Sequence, residues 1–213
     1  MKIDIILIGG GGHCKSVIDV IESTGEYNIL GILDKEDLIG KDISGYEIIG
    51  TDHEIEEYVK KGVAFTITIG QIKSAHLRIA LFNLIKEKGG EIPSIVANTA
   101  YVSKKAVLGE GTVVMHKAFV NSNVKVGVNN IINTRSTLEH DTMVGDHCHI
   151  STHEVVNGEV KIGNEVFIGS NSTISNQVKI GAKSIVGIGS VVVSNIPENV
   201  ITFGIPAKIK SRR

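Results

Sequence analysis

The chain has 213 residues, a net charge of −1 and 42% hydrophobic but only 4% aromatic residues. With no lysine or arginine stripe it is a poor match to nucleic acid or an anionic membrane, and no apolar run nears the ~18–20 residues that span a bilayer. Two distant cysteines, Cys14 and Cys148, and no signal-peptide pattern after Met1 point to a cytoplasmic protein with reduced thiols.

Residues 3–8 form a short apolar run suited to a buried parallel strand, and it ends in Gly9, Gly10, Gly11, Gly12 and His13. Val17, Ile18, Val20 and Ile21 follow with a helical period closed by Gly25. Residues 29–33 read as a second strand ending at Asp34. Thr51 and Glu54 have capping-box spacing and open a polar helix to Lys61. Residues 64–69 make a third strand stopped by Gly70. Leu77, Ala80, Leu81, Leu84 and Ile85 then give a helix that ends at Gly89. Strand, glycine turn, helix and strand make a βαβ unit, so residues 1–95 are expected to form a small, doubly wound α/β domain of Rossmann-like type. Pro93 and the polar residues 97–99 mark its end.

The glycine turn has two readings. Its bare N–H groups and the helix N-terminus suit a phosphate, with Asp34 where such folds place an acidic contact to a ribose hydroxyl. Otherwise it is a tight turn that binds nothing. The dinucleotide fingerprint is not met, since the third glycine counted from Gly10 is Lys15. A mononucleotide-type ligand is favoured over a nicotinamide cofactor.

From residue 101 to 196 an aliphatic residue recurs every six positions without exception, from Val102 through Leu138 and Ile150 to Val192. Four residues after most of them stands a small or β-branched residue, such as Ala118, Ser136 or Ser172, and Gly, Asn or Ser often follows directly. This is the pattern of a hexapeptide-repeat parallel β-helix over residues 96–213. Three hexapeptides make an 18-residue coil, whose aliphatic side chains point into a narrow prism and stack at about 4.8 Å. Small residues let the chain turn, and Gly or Asn tolerates left-handed dihedrals at the corners. The period leaves the hand of the coil open. The basic tail, with Lys208, Lys210, Arg212 and Arg213, is a solvated end or a phosphate contact.

Five histidines, His116, His140, His147, His149 and His153, fall within the repeat, and the narrow prism should turn most of them outward. His140 is flanked by Glu139 and Asp141. A neighbouring carboxylate makes an imidazole a better base near neutral pH; the plainer reading is a surface residue. A three-histidine zinc site of the β-helix carbonic anhydrase type is not met, because Val113 and Lys117 stand 36 residues before His149 and His153. No metal is expected. Cys148 lies in the corner column and is not assigned as a nucleophile.

Residues 132–151, running through Glu139-His140-Asp141 and His149-Ile150-Ser151, resemble the bacterial nucleotide-aminosugar acetyltransferases with a left-handed β-helix. So do the Gly-Gly-His turn and the Gly204-Ile205-Pro206-Ala207-Lys208 ending. That family includes bacillosamine-pathway, perosamine and sialic-acid-type acetyltransferases. The resemblance implies a left-handed coil, a homotrimer with active sites between neighbouring β-helices, and acetyl-CoA as co-substrate. It implies His140 as general base assisted by Asp141. It places the nucleotide-sugar at Gly11, Gly12, His13, Cys14, Asp34, Lys35 and Gly70, and acetyl-CoA at His149, Ser170, Gly187 and Ile188. In the family glutamate often follows the base and glycine usually follows the turn histidine; here Asp141 and Cys14 stand instead. The reaction so implied is N-acetylation of a nucleotide-linked 4-amino sugar. The alternatives are O-acetylation of a sialic-acid-type sugar and a β-helix protein that binds nucleotide-sugar without turnover.

Overall fold

Ile5, Ile6, Leu7 and Ile8 are wholly buried because the strand that carries them is flanked on both sides. The computed structural model describes residues 2–213. They divide into two units, residues 2–70 with 76–98 and residues 71–75 with 99–213. In the first unit β1 (Ile3–Ile8), α1 (Gly12–Thr24), β2 (Tyr27–Leu33), β3 (Asp42–Ile43), β4 (Tyr46–Gly50), α2 (Ile55–Lys60), β5 (Ala64–Ile67) and α3 (His76–Glu87) follow in order. The sheet order is β3-β4-β2-β1-β5, with β2 and β5 both parallel to β1. Gly25 closes α1 in the left-handed conformation, φ 68°, as the sequence anticipates. The capping box from Thr51 to Glu54 is formed, although its first turn is 3-10 before α2 begins.

Two features differ from the expectation. Residues 42–50 fold into a hairpin that alternation over so few residues does not reveal; its turn at Ser44 and Gly45 has φ of 52° and 89°. Helix α3 buries Arg78, Leu81, Phe82 and Ile85, while Leu77 is 55% exposed. The helix is turned because Arg78 points inward, its guanidinium donating to the carbonyls of Ile67 at 3.3 Å and Ile69 at 2.7 Å, just past the end of β5. Burial brings that guanidinium down to about 10.

The second unit is a parallel β-helix of two-residue strands. One sheet stacks the strands that begin at 101, 119, 137, 155, 173 and 191, and the next those at 107, 125, 143, 161 and 179. The third stacks 113, 131, 149, 167 and 185, then the hairpin Val200–Gly204 and Ala207–Arg212. The rungs among the two-residue strands pair residues 18 apart, as in Val120 with Leu138 and Leu138 with Val156, whereas the last rung pairs Ile185 with Ile201, 16 apart. The repeating aliphatic residues are buried from Val114 onward, whereas Val102 and Leu108 in the first coil are only half-buried. Among the described residues no helix is long and apolar enough to cross a membrane.

The corners correct one detail of the sequence reading. Left-handed backbone falls on the third residue after each aliphatic one from Val114 to Ile180, at Lys117, Asn123, Asn129, Arg135, Asp141, His147, His153 and on to Lys183, all with φ near 60°. Such a backbone costs a non-glycine residue roughly 1–2 kcal/mol, and here the pairing of successive coils imposes it. The glycines that directly follow an aliphatic residue serve a different need. A methyl group at Gly127 would lie 2.9 Å from the Gly145 carbonyl carbon, and one at Gly145 would lie 2.9 Å from that of Gly163. Glycine stands there because adjacent coils approach too closely for a side chain. Inside the corners, polar side chains accept from amides 18 residues later: Asn130 Oδ1 takes the Cys148 N–H at 2.7 Å, and Ser172 Oγ that of Ser190 at 3.3 Å.

Candidate active site

Helix α1 starts at Gly12 with no side-chain cap and no acidic residue in its first turn, so its N-terminal amides face outward beside Gly11 and Gly12. A methyl group at either glycine would meet nothing within 4 Å. The amides are therefore open to an anion. Asp34 is engaged with the turn itself. Its Oδ2 accepts from the Gly10 N–H at 2.5 Å and its Oδ1 from the Lys35 N–H at 2.8 Å. The side chain expected to meet a ribose thus also clamps the glycine turn to the end of β2. His13 packs beside Gly70, whose added methyl would lie 3.7 Å from the His13 Cβ. Cys14 is buried beneath, and burial pushes its thiol up to about 11.

A cleft of about 440 Å³ adjoins this turn, lined by Asp34, Lys35, Thr51, Asp52, His53 and Ile69, among others. Thr51, Asp52 and His53 were read from sequence only as a helix start. The cleft forms because that cap lies beside the ends of β2 and β4, a placement no local pattern encodes. Burial, then the Asp34 charge, raises Asp52 above the ordinary carboxylate range.

In the β-helix, His140 lies on the corner after the strand Thr137–Leu138. Its Nδ1 lies 2.9 Å from Asp141 Oδ2, and both side chains are about half exposed. An ionised carboxylate only accepts, so Nδ1 donates and Nε2 carries the lone pair of the ring. The Asp141 hydrogen bond raises His140 above its ordinary value, with the Asp141, Glu139 and Glu159 charges adding to it. Asp141 is itself held low, first by His140 and then by the Asn123 amide at 3.2 Å. The imidazole lies over Gly158 on the next coil, where a methyl group would come within 2.6 Å of the ring. That glycine carries no sequence signal apart from its place in the repeat. An open depression of about 570 Å³ beside Asp141 is lined by Glu159, Lys161, Gln177 and Lys179.

His149 is on another sheet and is only 7% exposed. Its Nδ1 lies 2.6 Å from the Gln71 carbonyl oxygen, so it donates there, and Nε2 accepts from Asn133 at 3.0 Å. Phe167 meets the ring edge-on at 5.3 Å. The sequence expected most histidines to face outward; His149 does so, but the segment 71–75, which no repeat pattern could place here, supplies the carbonyl over it. Ser170 lies one coil further on, its hydroxyl 3.0 Å from that of Ser151. Gly187 is buried under the Phe203 ring, whereas Ile188 is 71% exposed. The four residues assigned to acetyl-CoA by resemblance therefore follow one side of the coil in successive turns. His140 stands on a different corner. Cys148 is wholly buried and burial pushes it up to about 12, which leaves no thiolate for covalent chemistry. Among the described residues no group of three or more histidine, cysteine or acidic side chains could hold a metal ion.

The model of the PglD N-terminal domain matches residues 4–83. The perosamine N-acetyltransferase of Caulobacter crescentus, solved with CoA and GDP-perosamine, is 32% identical with a TM-score of 0.91. That match covers 98% of this chain and 97% of the other. The acetyltransferase domain of PglB from Neisseria gonorrhoeae, solved with acetyl coenzyme A, is 28% identical with a TM-score of 0.91, covering 98% and 100%. WeeI from Acinetobacter baumannii shares the fold at 23% identity and a TM-score of 0.87, covering 98% and 100%. An uncharacterized protein of Acanthamoeba polyphaga mimivirus is 33% identical over 112 residues; the match takes 52% of this chain and 21% of that curated relative's length.

Proposed function

The chain belongs to the nucleotide-aminosugar acetyltransferases with a left-handed β-helix, and we propose that it transfers the acetyl group of acetyl-CoA to the 4-amino group of a nucleotide-linked amino-deoxy sugar. The observation that carries this reading is His140, an exposed imidazole whose Nδ1 is held by Asp141 and whose Nε2 is free to accept a proton.

An amino sugar is an ammonium ion near neutral pH and must lose a proton before it can attack. His140 Nε2 takes that proton, a role that typically contributes ~10²–10⁴-fold. The amine nitrogen then bonds to the thioester carbonyl carbon. The tetrahedral oxyanion collapses, the C–S bond breaks, and the thiolate leaves with a proton from the imidazolium, while the attacking nitrogen gives up its second proton to water; of the two protons the ammonium loses, one ends on the thiol and one in solvent. The thioester is already activated, so Lewis-acid help is not required by the chemistry. The nucleotide diphosphate is assigned to the open amides at Gly11, Gly12 and His13, and the nucleoside to the cleft by Asp34, Lys35 and Gly70. Acetyl-CoA is assigned to the row of His149, Ser170 and Ile188.

That row and His140 lie on different sides of one coil. A cleft that uses both takes them from two copies of the chain, which supports a homotrimer. Two free, buried thiols and an acetyl-CoA co-substrate support a cytoplasmic setting, with a role in glycan biosynthesis. The test is to incubate the purified protein with acetyl-CoA and UDP-, GDP- and dTDP-linked 4-amino sugars and to follow free thiol. Thiol release with one amino sugar is expected. Release only with hydroxyl acceptors would move the reading to O-acetylation. Tight nucleotide-sugar binding without any release would leave a non-catalytic binder.

A further inference from the structure

The cleft beside the glycine turn is built for more than a ribose. Leu33, Ile69, Leu77 and Leu81 line it with apolar surface. Leu77 is 55% exposed, although it belongs to a helix that buries Leu81, Phe82 and Ile85. An uncovered leucine on an apolar wall suits the flat face of a ring. Two carboxylates share the cleft with these side chains. Asp34 follows β2, and Asp52 follows β4, the next strand of the sheet. The two have different partners. Asp34 gives its oxygens to the N–H groups of Gly10 and Lys35. Asp52 is exposed and makes no hydrogen bond among the described residues. Its own turn does not need it: Thr51 Oγ1 takes the His53 N–H at 3.3 Å, and Glu54 Oε2 takes the Thr51 N–H at 2.6 Å. Burial and then the Asp34 charge raise Asp52, and His53 offsets this only in part. A spare acceptor beside a second carboxylate and an apolar wall favours a ligand edge that carries N–H donors.

We propose that this cleft selects guanine as the base of the nucleotide-sugar, with the Asp52 carboxylate accepting from N1–H and N2–H of the base. The proposal rests on the nucleotide-sugar reading above and adds the base to it. Guanine alone among the common bases sets two adjacent N–H donors on its Watson–Crick edge, which match the two oxygens of a carboxylate. Adenine and cytosine offer one amino group beside a ring acceptor. Uracil and thymine hold one N–H between two carbonyl oxygens, whose lone pairs would face the carboxylate. The same group therefore attracts one base and repels the others, which is how a site discriminates. The sheet order agrees. Strand β2 lies between β1 and β4, so Asp34 stands between the glycine turn and Asp52. That is the order in which a nucleotide presents phosphate, ribose and base.

The test is calorimetry of the full chain with GDP, IDP, UDP and dTDP, on the native protein and on Asp52→Asn. GDP is expected to bind roughly tenfold or more tighter than UDP or dTDP, the scale of a hydrogen bond to a charged group. IDP lacks only the N2 amino group of GDP and is expected to bind about tenfold more weakly than GDP. In Asp52→Asn the GDP Kd is expected to rise about tenfold. The UDP Kd is expected to hold or fall, because the new amide can donate to a uracil carbonyl. The preference for GDP over UDP then shrinks. The variant keeps Thr51 and Glu54 and so the cap of its turn, and an unchanged melting temperature checks that it folds. The IDP comparison needs no variant at all. UDP or dTDP binding as tightly as GDP would overturn the choice of guanine and leave the nucleotide-sugar reading standing. IDP binding as tightly as GDP would overturn the paired donors. A preference for GDP that survives intact in Asp52→Asn would overturn the role of Asp52. A native chain that binds none of the four nucleotides would refute the nucleotide-sugar reading of this cleft and the choice of base with it.

Discussion

At the scale of single residues, the proposed chemistry centres on one imidazole with a carboxylate behind it and a glycine beneath it. If His140 takes the ammonium proton, His140→Ala is expected to lower kcat by roughly 10²–10⁴-fold and to leave acetyl-CoA KM nearly unchanged, in steady-state kinetics. Asp141→Asn removes the hydrogen bond that does most to raise His140. Turnover needs the neutral ring, so rate rises with pH through the His140 pKa. The acidic limb of the kcat profile is then expected to move to lower pH in the asparagine variant, with a smaller loss of maximal rate than in the alanine variant. Gly158→Ala places a methyl group 2.6 Å from the imidazole. The ring must swing away from its position, so kcat is expected to fall while circular dichroism and acetyl-CoA KM change little. Unchanged turnover would mean that the ring works from another rotamer.

At the scale of elements, two turns with different tasks are built from glycine. The turn after β1 is held by Asp34, whose two oxygens take the N–H groups of Gly10 and Lys35. Asp34→Ala frees both donors and is expected to raise the nucleotide-sugar KM several-fold with little effect on acetyl-CoA KM, which kinetics with each substrate varied would show. In the β-helix, glycine answers coil spacing. Gly145→Ala sets a methyl group against Asn164 Oδ1 and 2.9 Å from the Asn164 N and the Gly163 carbonyl carbon, and the two backbone atoms cannot give way. Overpacking of this kind typically costs 1–3 kcal/mol, and a lowered midpoint in urea unfolding checks it.

At the scale of the whole molecule, His140 and the row of His149, Ser170 and Ile188 stand on different sides of one prism. Exposed apolar side chains continue along the faces: Tyr101 and Phe119 stack at 5.0 Å, and Val107 and Met143 are 59% and 44% exposed. A trimer is the expected state by light scattering. A stable monomer with full activity would show that one chain suffices and would contradict the shared cleft.

The β-helix was legible from sequence because its physics is local and repeated: an inward aliphatic residue every six positions needs no distant partner to be recognised. The first domain's strands and helices were legible from apolar runs and from the Gly25 and Thr51 stop and start signals, and His140 with Asp141 from adjacency alone. What stayed hidden depends on residues far apart in the chain meeting in space. Arg78 turns α3 inward to serve carbonyls at the end of β5. Gln71 bonds His149 across 78 positions. Gly158 underlies the His140 ring one coil away. The left-handed corners fell on Asp141, His147 and His153 rather than on glycines, because the 18-residue register sets the backbone there whatever residue it meets. Sequence by itself determined the repeat, the βαβ unit and the candidate base; only the tertiary structure decided which side chains face each other, since hydrogen bonds, clearance and burial are set by neighbours that a linear pattern does not name.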